Sequence, residues 1–158
     1  MSGYQAKVVT VSDGVIAGTR EDRSGQALEE LLDRAGFSVV ERSVVADGVA
    51  SVAGELARVS ASFSGLVVTT GGTGFAPRDQ TPEGTREVIE REAPGMAEAM
   101  RLVNPLGRLS RGIAGIRQHA VILNTPGSPQ GAVECLEAVL DILPHALDLL
   151  GEQETRHP

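Results

Sequence analysis

The stretch that most constrains this chain is Thr69-Thr70-Gly71-Gly72-Thr73-Gly74-Phe75-Ala76-Pro77-Arg78-Asp79-Gln80-Thr81-Pro82-Glu83. It follows Leu66-Val67-Val68, an apolar run that reads as the end of a buried strand. It closes on a helix start, with Thr81 as N-cap, Pro82 at the first helical position and Glu83 in the first turn. A strand therefore feeds a loop with three glycines and then a helix. Glycines permit positive φ and close approach of a ligand to the backbone, and N–H groups in such a loop hold anions. Asp79, just before the helix, is a candidate carboxylate for a metal ion that bridges phosphates. There is no G-x-x-x-x-G-K-[ST], and Gly71-Gly72-Thr73-Gly74 does not fit G-x-G-x-x-G. A tight turn with a capped helix would explain the glycines alone; Arg78 and Asp79 add a guanidinium and a carboxylate to that turn.

Along the rest of the chain, strand-like runs alternate with helical patterns. Strands are expected over 7–12, 37–45 and 65–70, with Ala120-Val121-Ile122-Leu123 in a further one. Residues 113–123 hold either a short edge hairpin around Arg117-Gln118 or one longer strand. Helices are expected from a Ser24 cap to Ala35, from Asp47 or Ser51 onward, from Thr81 to about Glu92, and from Gly95 to about Val103. A last helix starts behind a Ser128 cap and Pro129, with a kink at Pro144. Residues 13–23 and 104–115 read as loops. The pattern predicts an α/β fold, a three-layer α/β/α sandwich on a mostly parallel sheet, in one domain over 1–151 with a polar tail over 152–158. In such sheets ligands bind outside the carboxyl ends of the strands. The loops leaving those ends carry Ser12-Asp13, Asp47, the glycine loop with Asp79, and Pro126-Gly127-Ser128.

Composition narrows the partners. The net charge of −7 argues against nucleic-acid binding, and 3% aromatics with no Trp argues against base-stacking platforms. No apolar stretch approaches the ~20 residues of a membrane span. The lone cysteine, Cys135, and an N-terminus without a signal core suggest a cytoplasmic protein. Cys135 reads as a core residue, and the three histidines share no metal-ligand spacing. Between Arg101 and Arg117 stand Arg101, Arg108, Arg111 and Arg117 and no acid. That is either a site for an anionic small molecule or a set of solvated or interface arginines.

Ser12-Asp13-Gly14 with Gly18, Asp22 and Gly25, Thr70-Gly71-Gly72-Thr73-Gly74 with Arg78-Asp79-x-Thr81-Pro82-Glu83, Pro94-Gly95, Ser110-Arg111 and Asn124-x-Pro126-Gly127-Ser128-Pro129 together resemble the molybdenum-cofactor biosynthesis domain family. The nearest form is the stand-alone, MogA/MoaB-like molybdopterin adenylyltransferase, and the resemblance runs from about Lys7 to Leu150. It implies substrates molybdopterin and Mg-ATP, transfer of AMP to the terminal phosphate of molybdopterin, release of pyrophosphate and hand-over to a molybdenum insertase. It also implies a homotrimer or hexamer. The two acids important in that family match Asp47 and Asp79, here assigned to holding Mg²⁺ rather than to proton abstraction. The amides of Gly71, Gly72, Thr73 and Gly74 would hold phosphate oxygens. Ser110, Arg111, Pro126, Gly127 and Ser128 would take the pterin or its phosphate, and Ser12, Asp13 and Arg78 complete the substrate-binding set.

Structural roles compete for several of these residues. Asp47 and Ser128 are good N-caps, Asp79 would support the Thr81 helix, and Asp13 and Asp22 suit Asx turns. The chain also departs from the family pattern. Gln80 stands where an aliphatic is common, Gly84 where alanine is, and Gly14 where a larger residue follows Ser-Asp. Gly84 would weaken the helix start by up to about 1 kcal/mol. Gln130 stands where many members carry a lysine, which removes one cation from a polyanion site. A non-catalytic pterin-binding or assembly subunit of the same fold is therefore the alternative. An insertase ranks below both, because those enzymes carry extra domains.

Overall fold

The computed structural model describes residues 3–151, and the polar tail expected over 152–158 lies outside them. Six strands form one sheet: β1 (Gln5–Val11), β2 (Ser38–Val45), β3 (Gly65–Thr70), β4 (Arg91–Glu92), β5 (Ala114–Arg117) and β6 (Ala120–Thr125), in the order β2-β1-β3-β6-β5-β4. β2, β1, β3 and β6 are parallel, while β5 runs antiparallel to β6 and to β4. Of the two alternatives for 113–123, the hairpin is present, turned at Gln118 with φ +53°.

β3 and β6 are buried throughout, as continuous apolar or β-branched runs predict. Alternate residues feed two cores. Ala6, Val8, Leu66, Val68, Val121 and Leu123 meet α2 (Arg23–Arg34), α5 (Pro94–Leu102), α6 (Pro129–Leu140) and α7 (Leu143–Gly151) on one face. Val9, Val11, Val67, Ala120 and Ile122 meet α3 (Val49–Ser60) and α4 (Thr81–Val88) on the other. Those are the three layers. The register sets Val11 opposite Val45, Thr10 opposite Thr70 and Thr70 opposite Thr125, so the four parallel strands end at one level. The chain steps from β1 outward to β2, then crosses back to β3. The crevice between β1 and β3 is therefore the topological switch point.

Several expected boundaries moved, each for a local reason. Asp22, not Ser24, caps α2: its Oδ1 accepts from the Gly25 N–H at 3.0 Å, and Thr10 Oγ1 anchors the same carboxylate at 2.8 Å. Thr81 is the first helical residue of α4 rather than its cap, because its hydroxyl donates to the Gly71 carbonyl at 2.8 Å. Neither Asp47 nor Ser51 caps α3; Gly48 holds that position at φ +125°, and the Ser51 hydroxyl donates to Ala46 O. α4 stops at Val88, and Arg91–Glu92 join the sheet edge instead of extending it. The expected loop over 13–23 opens with one helical turn, α1 (Asp13–Ile16), capped by Ser12, and 104–115 holds a 3-10 turn over Pro105–Leu109. Pro144 follows a break between two helices rather than kinking one.

Gly84 has a packing reason that helix propensity misses. A Cβ there would sit 2.7 Å from the Cβ of Val52, so the glycine lets α4 lie directly on α3.

Candidate functional site

Beneath the carboxyl end of the sheet lies a buried layer of satisfied polar groups. Asn124 donates to the hydroxyls of Thr69 and Thr85, both at 3.0 Å, and accepts from the Ile113 N–H at 3.1 Å. The Thr125 hydroxyl donates to Thr69 O and the Thr70 hydroxyl to Pro126 O, both at 2.8 Å. Because each buried group has its partner, this layer fixes where the loops above it begin.

The glycine loop leaves β3 on that floor. Gly71 and Gly72 have φ of +101° and +71°, and a Cβ on Gly71 would overlap the Val11 carbonyl oxygen. Only glycine lets the chain turn this tightly against β1. Gly71 donates to Thr125 O at 3.0 Å, and Thr81 donates to Gly72 O at 3.0 Å, which closes the loop onto α4. Among the described residues, the N–H groups of Gly72, Thr73 and Gly74 donate to no protein acceptor. They lie on the wall of a cavity of about 1170 Å³ at the β1/β3 switch point. A bed of unpaired amides on a ligand-sized cavity is a seat for anionic oxygens.

Two carboxylates flank that bed. A Cβ on Gly72 would sit 3.2 Å from Asp47 Oδ1, and one on Gly74 would sit 2.9 Å from Asp79 Oδ2. Both aspartates line the cavity. Asp79 also accepts from the Ala76 N–H at 3.2 Å, so it shapes the loop it borders. Burial pushes the carboxyl of Asp47 above the usual range, with the negative charges of Asp13 and Asp79 adding to it. A cation between the two aspartates would relieve that tension. The donor set suits Mg²⁺ shared with phosphates, which takes one or two protein carboxylates rather than a full cage. Among the described residues no three His, Cys, Asp or Glu side chains gather as a cage.

The other expected residues divide between cavity and frame. Ser12, Ser110, Pro126, Gly127 and Ser128 line the cavity with the glycine loop. Ser12 caps α1 and Ser128 caps α6, its Oγ accepting from the Gly131 N–H at 3.0 Å. Asp13, Arg78 and Arg111 are not on the cavity wall. Arg78 Nε donates to Asp13 Oδ2 at 2.6 Å, and this ion pair holds the carboxyl of Asp13 below the usual range. Arg111 grips the glycine loop from behind: Nε donates to Gly74 O at 2.8 Å, Nη2 to Asp79 O, and Nη1 to Glu83 Oε2 at 2.6 Å.

The other arginines of the segment also donate to backbone carbonyls. Arg101 donates to Gly112 O at 2.6 Å, Arg108 to Pro105 O at 3.0 Å, and Arg117 to Val88 O at 2.9 Å. Only Arg101 of the four lines the cavity. Cys135 is half-buried on the cavity wall, and burial pushes its thiol up to about 11, which disfavours the thiolate. His119 and His145 are exposed and outside the cavity, and His157 lies outside the described residues.

Sequence reasoning missed the far wall. Met100, Asn104 and Glu134 line the cavity, and Glu134 accepts from Asn104 Nδ2 at 3.2 Å and from Gln130 Nε2 at 3.0 Å. The available signal was helical spacing: Glu134 stands four residues after Gln130, on the face that follows the Ser128 cap. Nothing in the sequence signalled Asn104 as its partner across thirty positions.

The chain as a whole matches known proteins closely. The family model described as "Probable molybdopterin binding domain" matches residues 7–145. The chain is 40% identical to a molybdopterin adenylyltransferase of Helicobacter pylori strain J99 over 150 residues, covering 90% of this chain and 85% of that one. It is 38% identical to the molybdopterin adenylyltransferase of Escherichia coli K12, covering 89% and 76%. Among solved structures, the molybdopterin biosynthesis enzyme MoaB of Thermus thermophilus superposes with a TM-score of 0.87 at 46% identity, covering 93% of this chain and 96% of that one. A MogA structure superposes at 0.88 with 37% identity, covering 93% and 99%. With a family model spanning nearly all of the sheet and relatives this similar over most of both chains, the protein belongs to the molybdopterin-binding domain family of molybdenum cofactor biosynthesis.

Proposed function

We propose that this chain is a molybdopterin adenylyltransferase, moving AMP from Mg-ATP to the terminal phosphate of molybdopterin. An oxygen of that phosphate attacks the α-phosphorus of ATP, a new P–O–P bond forms, and the bond to the β-phosphate breaks to release pyrophosphate. The observation that supports this reading most is the unpaired amide bed of Gly72, Thr73 and Gly74 set between Asp47 and Asp79 on the switch-point cavity. The relatives' names, molybdopterin adenylyltransferase and MoaB, point the same way.

The attacking phosphate is already ionised at neutral pH, so the reaction asks for placement and charge stabilisation rather than a strong base. The amides would hold phosphoryl oxygens in a preorganised bed. Asp47 and Asp79 would hold Mg²⁺, which when bound neutralises charge on those oxygens. Pro126, Gly127 and Ser128, with Ser110, would form the pterin side of the cavity. Arg111 would act behind the loop, keeping the amides aimed. The same reading includes a homotrimer or hexamer in the cytoplasm and hand-over of product to a molybdenum insertase. Leu102, Leu106 and Leu109 are exposed, the last two on the cavity wall, and light scattering would test self-association. Among the described residues no helix is long and apolar enough to cross a membrane.

The test is incubation with molybdopterin, Mg²⁺ and ATP labelled at the α-phosphate. Labelled adenylylated pterin and an equal amount of unlabelled pyrophosphate are expected. One feature favours the non-catalytic alternative: neutral Gln130 lines the cavity where the family resemblance implies a lysine. Molybdopterin binding without label transfer, by folded protein, would establish that alternative.

A further inference from the structure

We infer that Arg78 and Asp13 are positioning residues that hold the Asp47 carboxylate toward the glycine loop, and that neither contacts substrate. The inference rests on the proposed transferase reading for its kinetic consequences, though not for its geometry. Three loops meet here, one from each of β1, β2 and β3. Asp13 donates its backbone N–H to Asp47 Oδ2 at 3.0 Å, and Asp47 returns its own N–H to Asp13 Oδ1 at 3.1 Å. The first two loops are thus joined by a reciprocal pair of charge-assisted bonds. Arg78, from the third loop, then locks the pair: Nε donates to Asp13 Oδ2 at 2.6 Å, and Nη2 to Asp13 Oδ1 at 3.2 Å and to Asp47 O at 2.9 Å. Ser12 N–H to Val45 O, at 2.9 Å, adds a backbone tie between the first two loops.

The consequence for Asp47 is an asymmetry between its two oxygens. Oδ2 is committed to the Asp13 N–H, which fixes the carboxylate's rotation. Oδ1 is left beside Gly72, on the cavity side. Arg78 reaches this arrangement from outside the cavity, with its Nε and Nη2 engaged by Asp13 and the Asp47 carbonyl. A guanidinium so engaged is a brace between loops, where lysine's single point charge would not reproduce the fork. Surface ion pairs add little to overall stability, so the clasp acts on local geometry rather than on the fold.

The experiment compares wild type with Arg78→Met, Arg78→Lys, Asp13→Asn and the Arg78→Met/Asp13→Asn double variant. Steady-state kinetics and amide hydrogen exchange are measured on each, with melting temperature as the check on folding. Arg78→Met is expected to lower kcat roughly 10- to 100-fold while leaving KM for ATP and molybdopterin within about twofold, the effect of misplacing a reacting geometry. Arg78→Lys recovers part of that loss. The double variant falls no further than the worse single variant, because the residues act as one unit. Exchange at the Asp13 and Asp47 amides quickens in Arg78→Met while the sheet stays protected. A raised KM with unchanged kcat would make Arg78 a direct phosphate contact and overturn the inference, as would additive losses in the double variant. Should wild type prove inactive, the transferase reading falls alone. Exchange then decides the clasp: faster exchange at those two amides in Arg78→Met supports it, and unchanged exchange overturns it.

Discussion

The glycine loop over 71–80 reads in the sequence as a candidate anion site and the arginine segment over 101–117 as either an anion site or a set of solvated or interface arginines, and the structure engages their donors differently. The loop has no net cation to offer except Arg78, yet its N–H groups at Gly72, Thr73 and Gly74 remain unpaired on the cavity. The segment carries four arginines, and every one of them donates to a backbone carbonyl. The contrast is between unused hydrogen-bonding capacity on a cavity wall and charge already engaged with the backbone. A guanidinium that satisfies buried or loop carbonyls stabilises its surroundings and has fewer donors left for a ligand.

The largest effect should come from the loop's own carboxylate. Asp79→Asn keeps an oxygen for the Ala76 N–H but removes the charge beside Gly74. Turnover is expected to fall by roughly 100-fold or more, on the scale of losing a charge-stabilising group, with circular dichroism and melting unchanged. Undiminished turnover would take Asp79 out of the mechanism and erase the distinction between loop and segment. Gly71→Ala comes next and should cost both activity and stability. A positive φ of +101° strains any L side chain by about 1–3 kcal/mol, and the new methyl meets the Val11 carbonyl besides. Thermal melting and labelled transfer would read the two losses together.

The segment should break in a different way. Arg111→Met strips donors from Gly74 O and Asp79 O and leaves Glu83 without its guanidinium. A stability loss of about 1–3 kcal/mol is expected, with kcat down roughly tenfold as the amide bed loosens. The acid response should change as well. Arg111 holds the folded-state carboxyl of Glu83 below its ordinary value, so the pair's contribution is present above that ordinary value and is lost as pH falls through the depressed one. Urea titrations at neutral and acid pH should show a smaller difference between wild type and variant on the acid side.

How far the sequence alone reaches follows from the same contrast. β3 was readable to the residue, because a strand buried on both faces has to be a continuous apolar run and a glycine ends it. Asp47 and Asp79 were readable as neighbours because the topology brings the carboxyl ends of β2 and β3 to one edge, whereas the role expected of them came from the family resemblance. The partners of polar groups were not readable. Thr81 looked like a cap by position, yet its hydroxyl turns back to Gly71, and Asp22 took the cap of α2 because Thr10 anchors it. Arg78 meets Asp13 across 65 positions, and no local pattern encodes such a pairing. Gly84 looked like a weakness in a helix until the nearness of Val52 supplied its reason. Short-range chemistry is written in spacing, whereas the assignment of a particular donor to a particular acceptor waits on the fold.

The smallest expected effect is the sharpest test of the comparison. Arg108 is exposed, its Nε donates to Pro105 O three residues back, and it does not line the cavity. If the arginine segment is scaffold, Arg108→Ala trims one local bond on a solvated turn. Stability should then move by no more than about 0.5 kcal/mol, and KM for ATP and molybdopterin should stay at the wild-type value. If the segment instead draws in polyanions, the same substitution removes a cation from an acidic protein near the cavity rim. KM would then rise, and rise more steeply as salt is lowered, because screening hides long-range attraction at high ionic strength and exposes it at low. Measuring KM for ATP at two salt concentrations therefore separates a scaffold arginine from a steering one without any change in the fold.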